Sequence, residues 1–430
     1  MRHSSTLLSS IFLTSSLLLA LTGCGDDGTD PPADSGITFD GGDGGGGDAD
    51  VDGGAVDCTD RPTESPEPRG EVEGIFDEGN NRLVVFGGNT SSPVACMPVY
   101  TQTNELWAFE LDCNNWRRLD SAGGPGSRSR TAIAVDSMRN RMIVFGGMDG
   151  DPFTGATRFN EVWALDLSAD TWSEITTSGA APSAKGYAVA AYDAAKDRLL
   201  VHGGDPGGFN GIDEMHALDL STNTWTEISG GTTPSARLYH GVTWRGNEMV
   251  IYGGAGGYGA DTYTNDIWAF DATTDTWREV NGGGGGDPFA RFGSDVFNDE
   301  ATGRMLAFGG HDPTDLGNSN DVWAYDFDGD AWSSVRPGDT LNGVADGPCM
   351  FPNDFTLPEE GMPTPERRHS GVGTQSATHG FIAMGKTDCG IINDVWALDF
   401  ATGTWELLRT PTGGEACNRS GSTTCSTLCN

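Results

Sequence analysis

The sequence predicts an all-β protein built as a closed ring of six blades, each of four antiparallel strands, and three observations carry that prediction. One phrase recurs six times: NELWAFELDCNNW at 104–116, NEVWALDLSADTW at 160–172, DEMHALDLSTNTW at 213–225, NDIWAFDATTDTW at 265–277, NDVWAYDFDGDAW at 320–332 and NDVWALDFATGTW at 393–405. The composition, with 64 Gly, 36% hydrophobic and 9% aromatic residues in 430, suits a turn-rich β protein. No window beyond the first 24 residues sustains helical periodicity.

Each copy carries four landmarks in fixed order. A P-x-x-[RK] step comes first, at Pro66/Arg69, Pro125/Arg128, Pro182/Lys185, Pro234/Arg237, Pro288/Arg291 and Pro365/Arg368. An apolar run then ends in a glycine pair closing at Gly88, Gly147, Gly204, Gly254 and Gly310, while the sixth copy reads IAMGK at 382–386. After a variable gap come an Asn or Asp followed by an acid, then a tryptophan two residues after that acid, and nine residues later a second tryptophan: 107 and 116, 163 and 172, 268 and 277, 323 and 332, 396 and 405, with His216 in the first place before Trp225. Of the 12 tryptophans only Trp244 lies outside this pattern. Four short β-type runs in about 50–60 residues match one four-stranded blade. A lone four-stranded sheet cannot bury both its faces, whereas six packed around an axis bury every face against a neighbour.

The first residues read as an address. MRHSSTLLSSIFLTSSLLLALTGC has a basic start and an apolar run too short and too Ser/Thr-interrupted for a comfortable membrane span, so residues 1–23 are expected to be an export signal. Its end, Leu21-Thr22-Gly23-Cys24, resembles the lipobox of bacterial lipoproteins, which implies lipidation of Cys24 and a membrane anchor. Residues 24–60 hold eleven Asp among many Gly and have almost nothing to bury, as in a disordered acidic tether. Within it Asp48, Asp50 and Asp52 match the first half of an EF-hand loop, but Thr59 stands where the bidentate Glu belongs and no helices flank it. The reading is a plain linker, with no metal or cofactor expected. The formal charge of −37 argues against a nucleic-acid partner, which needs a basic face.

The glycine pairs, the acidic residues before an aromatic and the later tryptophan resemble the kelch repeat over residues 66 to about 408. That resemblance implies a six-bladed kelch-type β-propeller at 61–410, with blades at about 66–120, 121–177, 178–230, 231–282, 283–336 and 363–409, an insertion at 337–362 and a Cys-containing tail at 411–430. For function it implies less, because kelch propellers serve as protein-binding modules, as structural parts and as sugar-active enzymes. The leading expectation is a monomeric, membrane-anchored exported module, periplasmic or at the cell surface, that binds a protein or a glycan and catalyses nothing. A sugar-active enzyme of the sialic-acid mutarotase type and a purely structural envelope protein are the alternatives. No Tyr/Cys/His set matches the copper oxidases that use a related seven-bladed frame, and no nucleophile elbow, zincin or phosphate-loop motif occurs.

Loop length locates the working face. Connections between the second and third strands, and between blades, vary from copy to copy, whereas the hairpin turns at the other end do not. Variable loops on a rigid frame are where binding sites sit. The same face is expected to receive the six cations Arg69, Arg128, Lys185, Arg237, Arg291 and Arg368, which either meet an anionic ligand or pair with the acids before each tryptophan; the structural pairing is the preferred of the two. Their irregular neighbours Arg130, Tyr187, Tyr239, Phe292 and His369 are the better candidates for specificity. His202 and His216 stand where other copies have Phe and Trp, as packing variants.

Nine Cys less Cys24 leave eight for disulfides in an exported chain. Cys349 and Cys389 share one face and one neighbourhood. Cys58 precedes the first blade and Cys417, Cys425 and Cys429 follow the last, so a bond from Cys58 to the tail is expected to lock the ring. Cys96 and Cys113 remain as a loosely held pair.

Overall fold

In the computed structural model the described residues are Cys58 and 64–413, without 92–99, 121, 153–154, 258, 285–287, 313–316, 342–354, 357–362 and 388–389. Cys24, Asp48, Asp50, Asp52, Cys96, Cys349, Cys389, Cys417, Cys425 and Cys429 lie outside them. The chain from Val56 onward is one compact unit.

It is a six-bladed β-propeller. Each blade is a meander of four neighbouring antiparallel strands, in blade 1 Glu73–Asp77, Arg82–Phe86, Leu106–Glu110 and Asn115–Leu119. The innermost strands of the other blades are Ala132–Asp136, Val189–Asp193, Gly241–Arg245, Asp295–Asp299 and Val372–Gln375. These six line the axis. The hairpin turns form the lower face; the loops between second and third strands, with the links between blades, form the upper one.

Strand alternation puts apolar side chains on both faces of every blade, and the core forms where neighbouring blades meet. One cluster joins Val84 and Phe86 of blade 1 to Met142 and Val144 of blade 2, and the next joins Ile143 and Phe145 to Leu199 and Val201 of blade 3. The remaining junctions repeat this, including blade 6 with blade 1. In blades 2, 3, 5 and 6 the second tryptophan packs on the aromatic that precedes the glycine pair of the preceding blade: Phe86 with Trp172, Phe145 with Trp225, Tyr252 with Trp332 and Phe308 with Trp405, at ring separations of 5.1, 5.6, 5.2 and 4.9 Å. His202 takes that place against Trp277 at 4.9 Å.

The glycine pair is a junction device. Gly146 sits at φ +65°, where a Cβ would lie 2.7 Å from the Lys185 carbonyl oxygen of the next blade. The next amide, Gly147 N–H, donates to that same carbonyl at 2.9 Å. In blade 6 the first of the two positions is Met384 at φ +60°. The ring then closes with the bonds used elsewhere: Gly385 N–H donates to Arg69 O at 2.9 Å, and Asn393 Nδ2 to Pro66 O at 2.8 Å, as Asn320 Nδ2 does to Pro365 O at 3.0 Å. Blades 1 and 6 each draw their four strands from one continuous stretch of chain, so the ring closes without exchanging a strand.

Cys58 is disulfide-bonded to Cys113 in the hairpin turn between the third and fourth strands of blade 1. This corrects the expected bond from Cys58 to the tail, and it removes Cys113 as a partner for Cys96. The ring ends do adjoin at Pro66 and Asn393, but by Cys58 the chain already lies on the lower face of blade 1, where Cys113 is the neighbour.

Candidate functional site

The six repeated cations are clamps inside the blades. Arg69, Arg128, Lys185, Arg237, Arg291 and Arg368 are all buried, and each meets the acid two residues before the first tryptophan position of its own blade. Arg237 bonds Asp266 through both terminal nitrogens at 2.8 Å and Gly253 O at 2.9 Å. The same acid accepts the indole N–H of Trp268 at 2.8 Å, and Asp321 and Asp394 accept those of Trp323 and Trp396 in the same way. Burial alone would raise the Asp266 carboxyl, but the hydrogen bond and charge of Arg237 outweigh it and hold the group below the usual carboxylate range. Of the two roles expected for these cations, the preferred one, pairing with the acid before each tryptophan, is the one observed: their donors serve the frame and not a ligand at the channel entrance.

Two residues after each cation the chain reaches the axis. Glu71, Arg130, Tyr187, Tyr239, Gly293 and Ser370 occupy equivalent places at φ of 56°, 58°, 60°, 57°, 66° and 55°. Their backbones form a belt in which Arg130 N–H donates to Glu71 O at 3.1 Å, Tyr187 to Arg130 at 3.0 Å, Tyr239 to Tyr187 at 3.3 Å, Gly293 to Tyr239 at 2.7 Å and Glu71 to Ser370 at 2.7 Å. Directly outside it the residues following the cation pair with those following the glycines: Gly70 with Asn89, Ser129 with Met148, Gly186 with Asp205, Leu238 with Ala255, Phe292 with His311 and His369 with Lys386. Every blade supplies the same backbone here, and the side chains vary around the ring.

Those side chains divide the mouth into two halves. On blades 1, 2 and 6, Glu71 accepts charge-assisted bonds from both Arg130 and Lys386. Burial pushes the Glu71 carboxyl up, but the charges of Arg130 and Lys386 prevail and keep it low; burial pulls the Lys386 amine down. The Arg130 guanidinium lies over the rings of Tyr187 at 4.6 Å and Tyr100 at 5.4 Å, and burial with the nearby Glu71 charge pushes the Tyr100 hydroxyl up to about 12. On blades 3 to 5 the rings run on, Tyr187 to Tyr239 at 4.2 Å and Tyr239 to Phe292 at 5.1 Å. Phe209 and Tyr263 flank them. His369 and His311 share the Asn318 side-chain oxygen at 2.8 and 3.2 Å, and burial with its neighbour His311 holds His369 well below the usual imidazole range.

The irregular residues named from the sequence, Arg130, Tyr187, Tyr239, Phe292 and His369, thus meet at one place. Glu71, Lys386, His311 and Tyr100 join them and were missed. The residue after each glycine pair differs in every copy, a signal that would have found Lys386 and His311. Among the described residues no group of three or more His, Cys, Asp or Glu could hold a metal ion.

The model of the KLHDC2/KLHL20/DRC7 Kelch-repeats domain family matches residues 50–254 and 185–350. The chain is similar to acyl-CoA-binding domain-containing protein 5 of Arabidopsis thaliana, at 29% identity over 236 residues, which cover 54% of this chain and 34% of that protein. It is 26% identical over 268 residues to the leucine-zipper-like transcriptional regulator 1 homolog of Drosophila melanogaster, covering 59% of this chain and 25% of that protein. Kelch domain-containing protein 10 of Homo sapiens is 29% identical over 210 residues, covering 47% of this chain and 46% of that protein. The chain spans less than half the length of each of these relatives.

Proposed function

The chain belongs to the kelch-repeat domain family, and on that premise we propose that it is a binding module whose mouth on the upper face receives a segment of a partner protein. One observation carries the reading: at the mouth a repeated left-handed backbone presents side chains that vary around the ring, Glu71, Arg130, Tyr187, Tyr239, Gly293 and Ser370. Tyr and Arg, which dominate protein-binding hot spots, make up half of the innermost ring. The aromatic half offers apolar contact, and the Arg130–Glu71–Lys386 half offers charge-assisted hydrogen bonds, so an extended segment with one apolar and one polar side matches it.

The same reading places the module outside the cytoplasm, tethered through a lipid on Cys24. The disulfide from Cys58 to Cys113 supports export, because such bonds persist in oxidising compartments. Loss of the protein from membranes on Cys24→Ala is the expected outcome, and continued retention would count against the anchor.

A photo-crosslinking amino acid placed at Tyr263, beside the mouth, or at Met138, 63% exposed in a lower-face turn, tests the site on intact cells. A partner captured from position 263 and not from 138 supports the proposal. Capture from 138 alone, or competition of the 263 product by free sugars, would replace it with a lower-face or a glycan-binding reading.

A further inference from the structure

Trp244, the one tryptophan outside the repeat, stands in the innermost strand of blade 4 and lines the axial channel. There it borders a chamber of about 510 Å³ that lies in the lower half of the channel. Ile133, Val135, Tyr192 and Val242 form much of its wall, with Thr374 and Gln375 as neutral polar groups. Glu73 belongs both to this chamber and to a smaller one of about 120 Å³ directly under the mouth, where Asp295 also lines the wall.

Glu73 and Asp295 come from blades 1 and 5. Blade 6, between them, has Gly371 and Gly373 on the channel, and a Cβ on Gly373 would lie 2.3 Å from Asp295 Oδ1. The missing side chain gives the Asp295 carboxyl its room in the lumen. Neither carboxylate makes a hydrogen bond or ion pair among the described residues. Arg368, the opposing charge that acts on Asp295, is committed to Asp394 through two hydrogen bonds of 2.6 and 2.7 Å. Arg130, at the upper end of the same chamber, is committed to Glu71, and His240 to His202. Enclosure pushes the Asp295 carboxyl up to about 7 and the Glu73 carboxyl well above its ordinary value, with mutual repulsion adding to the latter. Two acids are thus held without a counter-charge in a chamber with largely hydrocarbon walls, an arrangement that costs stability unless something cationic occupies it.

We propose that the axial channel binds a small alkylammonium ion entering from the lower face, its ammonium group between Glu73 and Asp295 and its apolar body against Trp244, Val135 and Val242. A divalent metal held by these two carboxylates would need water for most of its coordination shell, which the hydrocarbon walls do not favour, whereas an ammonium needs only acceptors and an aromatic face. The volume suits a ligand of small-molecule size. The site lies directly beneath the mouth, sharing Arg130, Tyr187 and Tyr239 with it as the roof of the smaller chamber, but it does not depend on the proposed partner.

Calorimetric titration of the mature protein with butylammonium chloride at pH 8 tests this, with 1-butanol as the uncharged control. The expected result is saturable 1:1 binding whose heat changes with the ionisation enthalpy of the buffer, because the arriving cation drives carboxyl protons off. Binding should weaken about tenfold or more in Glu73→Gln/Asp295→Asn and several-fold in Trp244→Leu. The doubly substituted protein should also melt about 2–5 °C higher at pH 8, since its amides relieve the uncompensated acids. No saturable heat from a folded protein, heat indifferent to the buffer, equal binding of butanol, or unchanged binding after loss of both carboxylates would each overturn the proposal.

Discussion

The lower-face turns and the mouth of this propeller both call for left-handed backbone, and the chain fills the two places by opposite rules. In the hairpin turns of the lower face the positive-φ residues are Asn81, Asn114, Asn140, Asp170, Asp197, Asn223, Gly246, Asp275, Gly303, Asp330 and Gly403. All are Asn, Asp or Gly, the types that tolerate this conformation. At the mouth the same φ is held by Glu71, Arg130, Tyr187, Tyr239 and Ser370, with only Gly293 conforming. Each such residue costs on the order of 1 kcal/mol or more. The turns are chosen for their backbones; the mouth is chosen for its side chains, and the surrounding frame holds it in place.

The sharpest way to break that contrast is to attack the frame. Arg237→Ala would leave Asp266 charged and largely enclosed without its partner, and a loss of about 3 kcal/mol in urea unfolding is expected. A loss under about 1 kcal/mol would deny the clamp its role. Next in size is the response to acid. Burial holds His202 and His240 well below the ordinary imidazole range, with Arg237 and Lys185 adding to it, and their ring nitrogens lie 3.1 Å apart. Both are neutral when folded and take up protons when unfolded, so stability is lost as pH falls below about 6.5. Melting temperatures from pH 8 to 5 should show that fall, and His202→Phe, which restores the residue of blades 1, 2 and 5, should flatten it.

The two remaining tests compare the left-handed sites directly. Asn140→Ala in a lower-face turn removes a tolerant residue and its side-chain bond to Ser168 at 2.9 Å, for an expected cost of about 1–2 kcal/mol by thermal melting. Ser370→Gly at the mouth relieves strain while losing the hydroxyl that donates to Tyr239 at 3.1 Å, and is expected within about 0.5 kcal/mol of the parent. Equal losses at the two sites would end the comparison.

Most of the frame was legible because it is local and repeated. The tryptophan pairs, glycine pairs and clamp cations recur in register, and each clamp joins residues of one blade, as Arg69 to Glu105 shows. The mouth was legible only in part. Arg130 and Tyr239 were visible as departures from a repeated neighbourhood, but Glu71 and Lys386 stand 315 positions apart and meet only when the last blade reaches the first. For the clamp cations the sequence left two roles open and favoured pairing with the acid before each tryptophan; a cation two residues from the axis can point either way, and burial decides for the pairing. Cys58 misled for a related reason: adjacency of the ring ends was foreseen, but the route by which the chain approaches blade 1 has no periodic signal.

The unexchanged closure of the ring has a consequence for where such a chain can begin. With the last junction made by the same hydrogen bonds as the others, no blade is marked structurally as first. Joining the end of blade 6 to the start of blade 1 and cutting any other link would give a circular permutant with the same inter-blade bonds. Such a ring can grow or shrink by whole blades through duplication or loss of one coding unit, free of the paired change that a shared strand would impose. The mouth would then acquire or lose one side chain per ring position at each step, while the clamp inside every blade stayed as it was.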